Sequence, residues 1–440
     1  MLIEKNKNMY LFIFLSYWIL LWLSINTEPS RHGLFSLSGN VFGSLRLIAG
    51  LFSTLLIITF SFFYISTKKK IKISKIYLIL IFIFISQIIG LYFNESRVFN
   101  LYNSFLALLA IGTIALFILC EQINIKSVIK YFFWILIFFL IIAFIMSIYP
   151  KINNLQYLDF QSAFAGREEN IFGGSNPRAT GLSRSLSIIN LFLILLFFNL
   201  KKIYSKSFMV ILITTISIII IFFQSRGTLL CYFTSLAVLI FFLQDSKNSF
   251  RLKKFLILVT LPIILYFFIN TYINKNILLN KNIEINTDVW KNKINDRVLL
   301  KSTSGRIEAW NYSLKNYNYK KIFGYGPQGD RFFLKDYKHA NKKGYRDNSS
   351  NIFIYTLLSG GVTSITLLIL FFYEILKIFI KNKKLYFFNK NSIYLNFSIL
   401  CLIFFSIRSL FENSFGLFSI DFLIMCLSVF FITNYTKIKL

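Results

Sequence analysis

The sequence is poor in histidine, cysteine and acidic residues. It has two histidines and four cysteines in 440 residues, and 18 acidic residues against 48 lysines and arginines. The cysteines lie in or beside apolar segments without the spacing of metal ligands, so neither a zinc site nor a disulfide framework is indicated. No pair of carboxylates has metal-binding spacing either. The sequence therefore predicts chemistry that uses no metal and no cofactor.

Long apolar segments dominate the chain. Hydrophobic residues make up 56% of it and aromatic residues 19%, a content that would cause a water-soluble domain to aggregate. Runs of roughly 20 apolar residues with almost no charge are typical of membrane-spanning helices. We predict an all-α polytopic membrane protein of about twelve transmembrane helices, at 9–25, 41–66, 76–93, 98–120, 128–149, 185–200, 207–223, 228–243, 254–272, 350–376, 393–411 and 414–434.

Lysine marks one side of this arrangement. Lysine-rich segments alternate with short connections that contain almost no lysine, and cytoplasmic loops carry the excess of positive charge. The large outer segment 273–349 is itself basic, but a loop of that length escapes this rule. The formal charge of +30 therefore reflects membrane topology, not nucleic-acid binding. Both termini are expected in the cytoplasm. Residues 1–272 hold helices 1–9 with an outer loop at 150–184, residues 273–349 form a large outer loop, and residues 350–440 hold helices 10–12.

Arginine follows a different distribution from lysine. On this topology Arg251 is the one arginine of thirteen that lies in the cytoplasm. A guanidinium forms two parallel hydrogen bonds with a phosphate or carboxylate, so an outer cavity rich in arginine suits an anionic substrate such as a lipid diphosphate. The alternative is that individual arginines contact lipid headgroups.

Four polar motifs stand at the outer ends of apolar segments. Arg226 lies in Gln224-Ser225-Arg226-Gly227, where Gly227 permits a tight turn between helices. Gly305-Arg306-Ile307-Glu308-Ala309-Trp310 predicts a short helix through Tyr317. It is followed by Ile322-Phe323-Gly324-Tyr325-Gly326-Pro327, whose glycines let backbone N–H groups approach a phosphate or sugar.

The other two motifs precede the tenth and sixth helices. They are Arg346-Asp347-Asn348-Ser349-Ser350-Asn351 and Asn176-Pro177-Arg178-Ala179-Thr180-Gly181-Leu182-Ser183-Arg184. Structural roles are the alternative for each motif: Ser349 or Ser350 caps a helix, Trp310 packs a loop, and the glycines form a plain turn. Glu412 and Asp421 are candidate ion-pair partners for Arg408.

Together these motifs resemble those of the bacterial O-antigen polymerase and ligase superfamily over roughly residues 176–364. The first five predicted helices match the superfamily in hydropathy alone. The resemblance implies a glycosyltransferase of the bacterial inner membrane that uses an undecaprenyl-diphosphate-linked oligosaccharide at its periplasmic face. Family ligases commonly carry histidine where Ser350 stands, so its absence favours a polymerase and leaves the general base open.

The resemblance also implies the roles of individual residues. Arg226 and Arg306 are the expected catalytic residues that hold the diphosphate. The expected substrate-binding residues are Arg178, Arg184, Arg346, Trp310, Gly324, Gly326, Ser350 and Asn351. The candidate bases are Asp347, Glu308 and His339. Besides the lipid-linked substrate and the bilayer, a chain-length regulator is a candidate partner. The alternatives are a ligase that transfers glycan to lipid A-core and a flippase or other transporter.

Overall fold

The computed structural model describes most of the predicted helices and parts of the segments between them. The described residues are 7–25, 41–67, 73–93, 97–123, 126–148, 179–200, 202–223, 225–244, 255–269, 306–318, 322–331, 333–334, 349–381, 393–414, 416 and 418–438. Within these ranges the regular structure is helical and no strand occurs.

Thirteen α-helices lie in the described ranges. They are α1 (Lys7–Leu23), α2 (Val41–Thr67), α3 (Lys75–Gly90), α4 (Arg97–Ile123), α5 (Lys126–Ile148), α6 (Ala179–Asn199), α7 (Ile203–Phe222), α8 (Arg226–Gln244), α9 (Phe255–Ile269), α10 (Arg306–Asn316), α11 (Ile352–Lys381), α12 (Ile393–Arg408) and α13 (Ile420–Ile438). A 3₁₀ turn, Leu91–Phe93, follows α3. Only α10 of these thirteen is polar, and it is the short helix predicted around Trp310.

The all-helical membrane architecture is confirmed. Five of the described helices contain stretches long and apolar enough to cross a membrane: Ile48–Ser66, Asn103–Ile123, Gly181–Asn199, Tyr204–Phe222 and Ile352–Ile380. Seven shorter apolar helices accompany them, and each of the twelve predicted segments overlaps one apolar helix. A helix satisfies its own backbone hydrogen bonds, which lipid cannot do. The count of twelve crossings and the position of the large loop stay predictions.

The centre of the bundle is formed by α12 and α13. Every residue of α13 from 421 to 432 is buried, and this helix packs against α4, α5, α11 and α12. Helix α12 also contacts α6 and α8. The connection between α12 and α13 therefore lies where the ends of several other helices meet.

Aromatic side chains fill the core between α1, α4 and α5. The Trp18 ring stacks on Phe132 with centroids 5.0 Å apart and meets Phe117 edge-on at 5.6 Å. Its indole N–H donates to the Phe132 carbonyl at 3.2 Å, so the one polar group of this buried side chain is satisfied. These early helices thus form a packed scaffold beside the candidate site.

Helix α11 is broken at Gly361. This residue has φ 70° and ψ −165°, a conformation that glycine adopts and other residues avoid. The segment after α10 replaces the interrupted helical hydrogen bonds. The N–H groups of Tyr325 and Gly326 donate to the carbonyls of Leu358 and Ser359, each at 2.8 Å. This glycine turn therefore joins the polar segment to the broken helix.

Candidate active site

The connection between α12 and α13 gathers elements that are distant in the sequence. The Ile352 N–H at the start of α11 donates to the Ser409 carbonyl at 2.9 Å. Gly227 in the first turn of α8 lies against Phe411, whose Cβ is 4.0 Å from the position that a Cβ on Gly227 would take. Glu412 contacts α10. The starts of α8, α10 and α11 thus meet at one end of the bundle.

Arg306, the first residue of α10, pairs with Glu412. Its Nη2 lies 3.3 Å from the Glu412 Oε1, and the two side chains are 21% and 30% exposed. Two further atoms of α10 are buried and have no hydrogen-bond partner among the described residues, namely Nε of Arg306 and Oε2 of Glu308. The Arg306–Glu412 ion pair is accessible to water. The two buried atoms, Arg306 Nε and Glu308 Oε2, have hydrogen-bonding capacity that the described residues do not use.

A second ion-pair group is almost fully buried. Asp421 lies between two arginines: its Oδ1 is 2.7 Å from Arg184 Nη1, and its Oδ2 accepts a hydrogen bond from Arg408 Nη1 at 2.5 Å. Arg408 also donates to the Ser414 hydroxyl at 3.1 Å. The expected pairing of Arg408 with Asp421 is confirmed, whereas Glu412 pairs with Arg306 instead. Helix α6 begins at Ala179, before the predicted residue 185, and Asp421 compensates the charge of Arg184 within it.

These contacts leave an excess of positive charge. Three guanidiniums, those of Arg184, Arg306 and Arg408, share the two carboxylates of Glu412 and Asp421. Arg226 adds an exposed guanidinium from the start of α8, beside the same connection. Uncompensated charge at a partly buried position is unfavourable unless an anion supplies the missing partner. The arrangement therefore suits an anionic ligand.

The start of α8 differs in detail from the prediction. Gly227 lies inside α8, which begins at Arg226, and not in a turn. Ser225 occupies the position before the helix, where its hydroxyl donates to Thr228 Oγ1 at 2.9 Å and its carbonyl accepts from the Leu229 N–H. Gly227 packs against Phe411 at an ordinary van der Waals distance, which places Arg226 beside the α12–α13 connection.

Asn351 caps the start of α11. Its Oδ1 accepts hydrogen bonds from the N–H groups of Phe353 at 2.9 Å and Ile354 at 3.2 Å, while its Nδ2 donates to the Leu410 carbonyl at 3.1 Å. The expectation that Ser349 or Ser350 caps this helix was wrong, because Ser350 adopts a left-handed conformation with φ 46° and turns the chain ahead of the cap.

Trp310 ties α10 to the start of α11. Its indole N–H donates to the Ser349 carbonyl at 2.6 Å. The side chain thereby fixes the distance between Arg306, one turn earlier in α10, and the first residues of α11.

Asp330 is a site residue that the sequence did not reveal. It is 1% exposed, and its Oδ2 accepts three hydrogen bonds, from Ser349 N–H at 2.8 Å, Ser349 Oγ at 2.9 Å and Asn413 Nδ2 at 3.2 Å. Burial raises the pKa of this carboxyl above its ordinary value, and the hydrogen bonds from Ser349 and Asn413 oppose that rise. A lone aspartate after the glycine turn carries no sequence signal of its partners, which lie 19 and 83 residues away.

Gly324 and Gly326 are packed against their neighbours. Both have positive φ, at 67° and 91°. A Cβ on Gly324 would lie 2.6 Å from the Gly361 nitrogen, and one on Gly326 would lie 2.5 Å from the Leu91 side chain. Since the N–H groups of this turn already bond α11, the structure gives the glycines a packing role. Their contact with substrate stays a prediction.

Four predicted site residues lie outside the described residues, namely Arg178, Arg346, Asp347 and His339. Within the described part of the chain, no three histidine, cysteine, aspartate or glutamate side chains cluster as metal ligands.

Comparison with known families gives a match over part of the chain. A family model described as O-antigen ligase matches residues 208–371, which run from α7 into α11. Residues 208–371 are thus similar to the O-antigen ligase family, which supports the resemblance to the O-antigen polymerase and ligase superfamily. The match supports a ligase or polymerase type of function in polysaccharide biosynthesis, carried out by a multi-pass membrane protein. No curated protein matches the chain significantly.

The O-antigen ligase-type domain supplies only part of the site. Arg226, Arg306, Asp330 and Asn351 lie inside the matched residues. Arg184 comes from α6, and Arg408, Glu412, Asn413 and Asp421 come from the α12–α13 connection and its flanks, all outside the match. Tertiary packing brings these two sets together.

Proposed function

We propose that this protein is a polymerase of O-antigen or a related surface polysaccharide. The growing glycan leaves its undecaprenyl diphosphate and is transferred to the terminal sugar of a new lipid-linked repeat unit. The reaction takes place at the periplasmic face of the bacterial inner membrane, with both termini in the cytoplasm. It needs neither a metal ion nor a nucleotide sugar, and a chain-length regulator is the expected protein partner.

One observation carries the proposal: arginines from three separate helices pair with two carboxylates at one end of the bundle, beside the exposed Arg226 of a fourth helix. Departure of a lipid diphosphate develops negative charge on its oxygens. Guanidinium groups already held in place at a partly dehydrated site stabilise that charge without reorganising during the reaction. The excess of positive charge in this cluster matches such a leaving group.

The arginines differ in burial, and we assign them different roles for this reason. Arg226 is exposed and Arg306 is held only by a partly exposed pair, so both are free to bind a diphosphate. Arg184 and Arg408 are held by the buried Asp421 and act on the substrate mainly through their positive potential. Arg178 and Arg346 remain candidate substrate contacts from the family resemblance, as do Ser350 and Asn351 for the acceptor.

Three groups are candidates for the general base that takes the proton from the acceptor hydroxyl. Glu308 has a buried Oε2 without a partner among the described residues, on the same helix as Arg306. Asp347 and His339 are the other two candidates. A base must reach the acceptor hydroxyl directly or through one water molecule.

A ligase is the second candidate, and the description of the matching family model favours it. Serine at position 350, where family ligases commonly carry histidine, favours the polymerase. A transporter is disfavoured because the ionisable residues of the described cluster lie at helix ends, not midway along the bundle where transporters bind substrate.

The test is an assay with purified protein and a synthetic undecaprenyl-diphosphate repeat unit, in the presence of a chelator. A ladder of multiples on a gel is the polymerase result. Arg226→Ala and Arg306→Ala should each reduce the rate roughly 10- to 100-fold, since a hydrogen bond to a charged group contributes about 1.5–3 kcal/mol. Arg226→Lys should restore little activity if the diphosphate is held by two parallel bonds.

Lys315→Ala is the matched control, because Lys315 is an exposed cation on the same helix as Arg306. It should retain the wild-type ladder. Transfer seen only after addition of lipid A-core would identify a ligase. Wild-type inactivity in both assays, with the matching sugar confirmed, would exclude both glycosyltransfer reactions.

A further inference from the structure

We propose, on the basis of the function proposed above, that Asp330 is a positioning residue of the active site. Its buried carboxylate holds the start of α11 against the α12–α13 connection and so sets the geometry of the Arg306–Glu412 pair. This role is separate from contact with substrate.

The contacts of Asp330 join three segments of the chain. Its Oδ2 binds both donors of Ser349, which precedes α11, and the side-chain amide of Asn413 in the α12–α13 connection. Asn413 completes the link, because its Oδ1 accepts the Asn351 N–H at 2.9 Å. A single carboxylate oxygen therefore fixes both partners in one arrangement.

The same contacts reach the residues proposed to bind the diphosphate. The Ser349 carbonyl accepts the Trp310 indole N–H, and Trp310 lies one helical turn after Arg306 in α10. Asn413 directly follows Glu412, the partner of Arg306. A shift of Ser349 or Asn413 would thus move both members of the Arg306–Glu412 pair, and misplacement by about 1 Å is enough to slow an enzyme roughly 100-fold.

An ionised carboxylate matches the hydrogen-bond donors that surround this position, although burial opposes its charge. It offers only acceptors, and three donors point at one of its oxygens. An asparagine would introduce two N–H donors, and a protonated carboxyl would introduce one O–H. Burial without such partners would be unfavourable, so the three hydrogen bonds offset the dehydration of the charge.

The direction of the pKa shift gives a distinctive pH dependence. Burial raises the pKa of Asp330, and the hydrogen bonds from Ser349 and Asn413 and the charge of Arg331 oppose that rise. Tyr355 of α11 is a titratable neighbour. Activity that needs ionised Asp330 should fall as the pH decreases through a pKa above the ordinary value of about 4. Stability has the opposite sign, since ionising a carboxyl whose folded-state pKa is raised becomes unfavourable as the pH rises through that window.

The experiment compares Asp330→Asn, Asp330→Glu and Ser349→Ala with wild type in the polymerisation assay across pH. We expect Asp330→Asn to lower kcat about 10-fold or more with little change in KM for the donor lipid, and to lose the acid limb of the profile. Ser349→Ala removes one of the three hydrogen bonds to Asp330. It should therefore lower kcat less than Asp330→Asn does and should keep the acid limb of the pH profile. Asp330→Glu should recover part of kcat and the limb.

Amide hydrogen exchange supplies a readout that does not depend on activity. Asp330→Asn should speed exchange at residues 349 and 351, whose N–H groups bond Asp330 and Asn413, but not in the core of α13. Unchanged exchange at these residues, or an Asp330→Asn enzyme with wild-type kcat and pH profile, would overturn the proposal. If wild type is inactive in both transfer assays, the proposed function fails, while the exchange result still decides whether Asp330 holds these segments.

Discussion

At the residue scale, the two ion-pair systems of the site differ in burial. The Asp421 side chain is 3% exposed and bonds two arginines, whereas Glu412 is 30% exposed and bonds one. A buried charge left without its partner is strongly destabilising, but an exposed pair contributes only about 0–1 kcal/mol. On the proposed function, a diphosphate would displace Glu412 from Arg306 with little loss of stability, while Arg184 and Arg408 would stay with Asp421.

This difference predicts that Glu412 competes with the substrate for Arg306. Glu412→Gln should strengthen binding of the donor lipid diphosphate about two- to fivefold, because Arg306 no longer has to leave a charged partner. Titration of purified protein with undecaprenyl diphosphate measures the dissociation constant.

Glu374→Gln is the control, since Glu374 lies toward the far end of α11. It should leave the dissociation constant unchanged. Weaker binding in Glu412→Gln than in wild type would show that Glu412 supports the ligand site and does not compete for it.

At the element scale, the break in α11 is stabilised by the glycine turn. The turn donates two hydrogen bonds to carbonyls before the break and accepts others after it, where the Thr363 N–H and hydroxyl both bond the Ile322 carbonyl. Gly90 at the end of α3 lies against the same turn, since a Cβ there would be 2.3 Å from the Phe323 carbonyl oxygen. Backbone groups of three elements thus pack without side chains between them.

A matched pair of glycine substitutions tests this packing. Gly361→Ala should destabilise the protein by about 2 kcal/mol or more, because φ is positive and the added Cβ would lie 2.0 Å from the Ile322 carbonyl oxygen. Gly227→Ala should be neutral or stabilise by about 0.5–1 kcal/mol, since that residue is helical and its nearest neighbour is 4.0 Å away. Thermal unfolding in detergent compares the two.

Equal stability of the two variants would mean that α11 tolerates a continuous helix at residue 361. If Gly227→Ala alone lost stability, the tight packing would lie at the start of α8 and not at the break in α11.

At the scale of the whole molecule, the contacts assign helix ends to one face of the bundle. The starts of α6, α8, α11 and α13 and the ends of α3 and α12 are joined through Asp421, Phe411, Ser409 and the glycine turn. These are the ends that the lysine distribution assigns to the periplasm. The site is therefore expected at the periplasmic face, where the proposed polymerisation would take place.

Labelling of single introduced cysteines in the wild-type chain tests how the protein is oriented in the membrane. All four native cysteines are buried, so wild type should not react with a membrane-impermeant maleimide. Lys315→Cys in α10 should react in intact spheroplasts, whereas Lys202→Cys, between α6 and α7, should react only after the membrane is opened. Both lysines are exposed, so accessibility to water does not distinguish them. The reverse pattern would invert the topology.

The sequence by itself determined the class of the protein and much of its helix content. Hydropathy located the segments where apolar helices form, because a chain in lipid must satisfy its backbone hydrogen bonds within each helix. Local motifs located Arg226, Arg306 and the short helix α10, since charge at a helix end and a helix start are properties of neighbouring residues. The same local motifs gave the resemblance to the superfamily, which the family match over residues 208–371 supports.

Only the tertiary structure decided which of these residues act together. Asp421 lies 237 positions after Arg184 in the numbering, and Asp330 and Asn413 are 83 residues apart, so no local pattern relates them. The partner of each buried charge depends on how the helices pack, and packing is a property of side-chain shapes across the whole bundle. For the same reason the sequence could suggest two partners for Arg408, but the fold assigned Asp421 to it and Glu412 to Arg306.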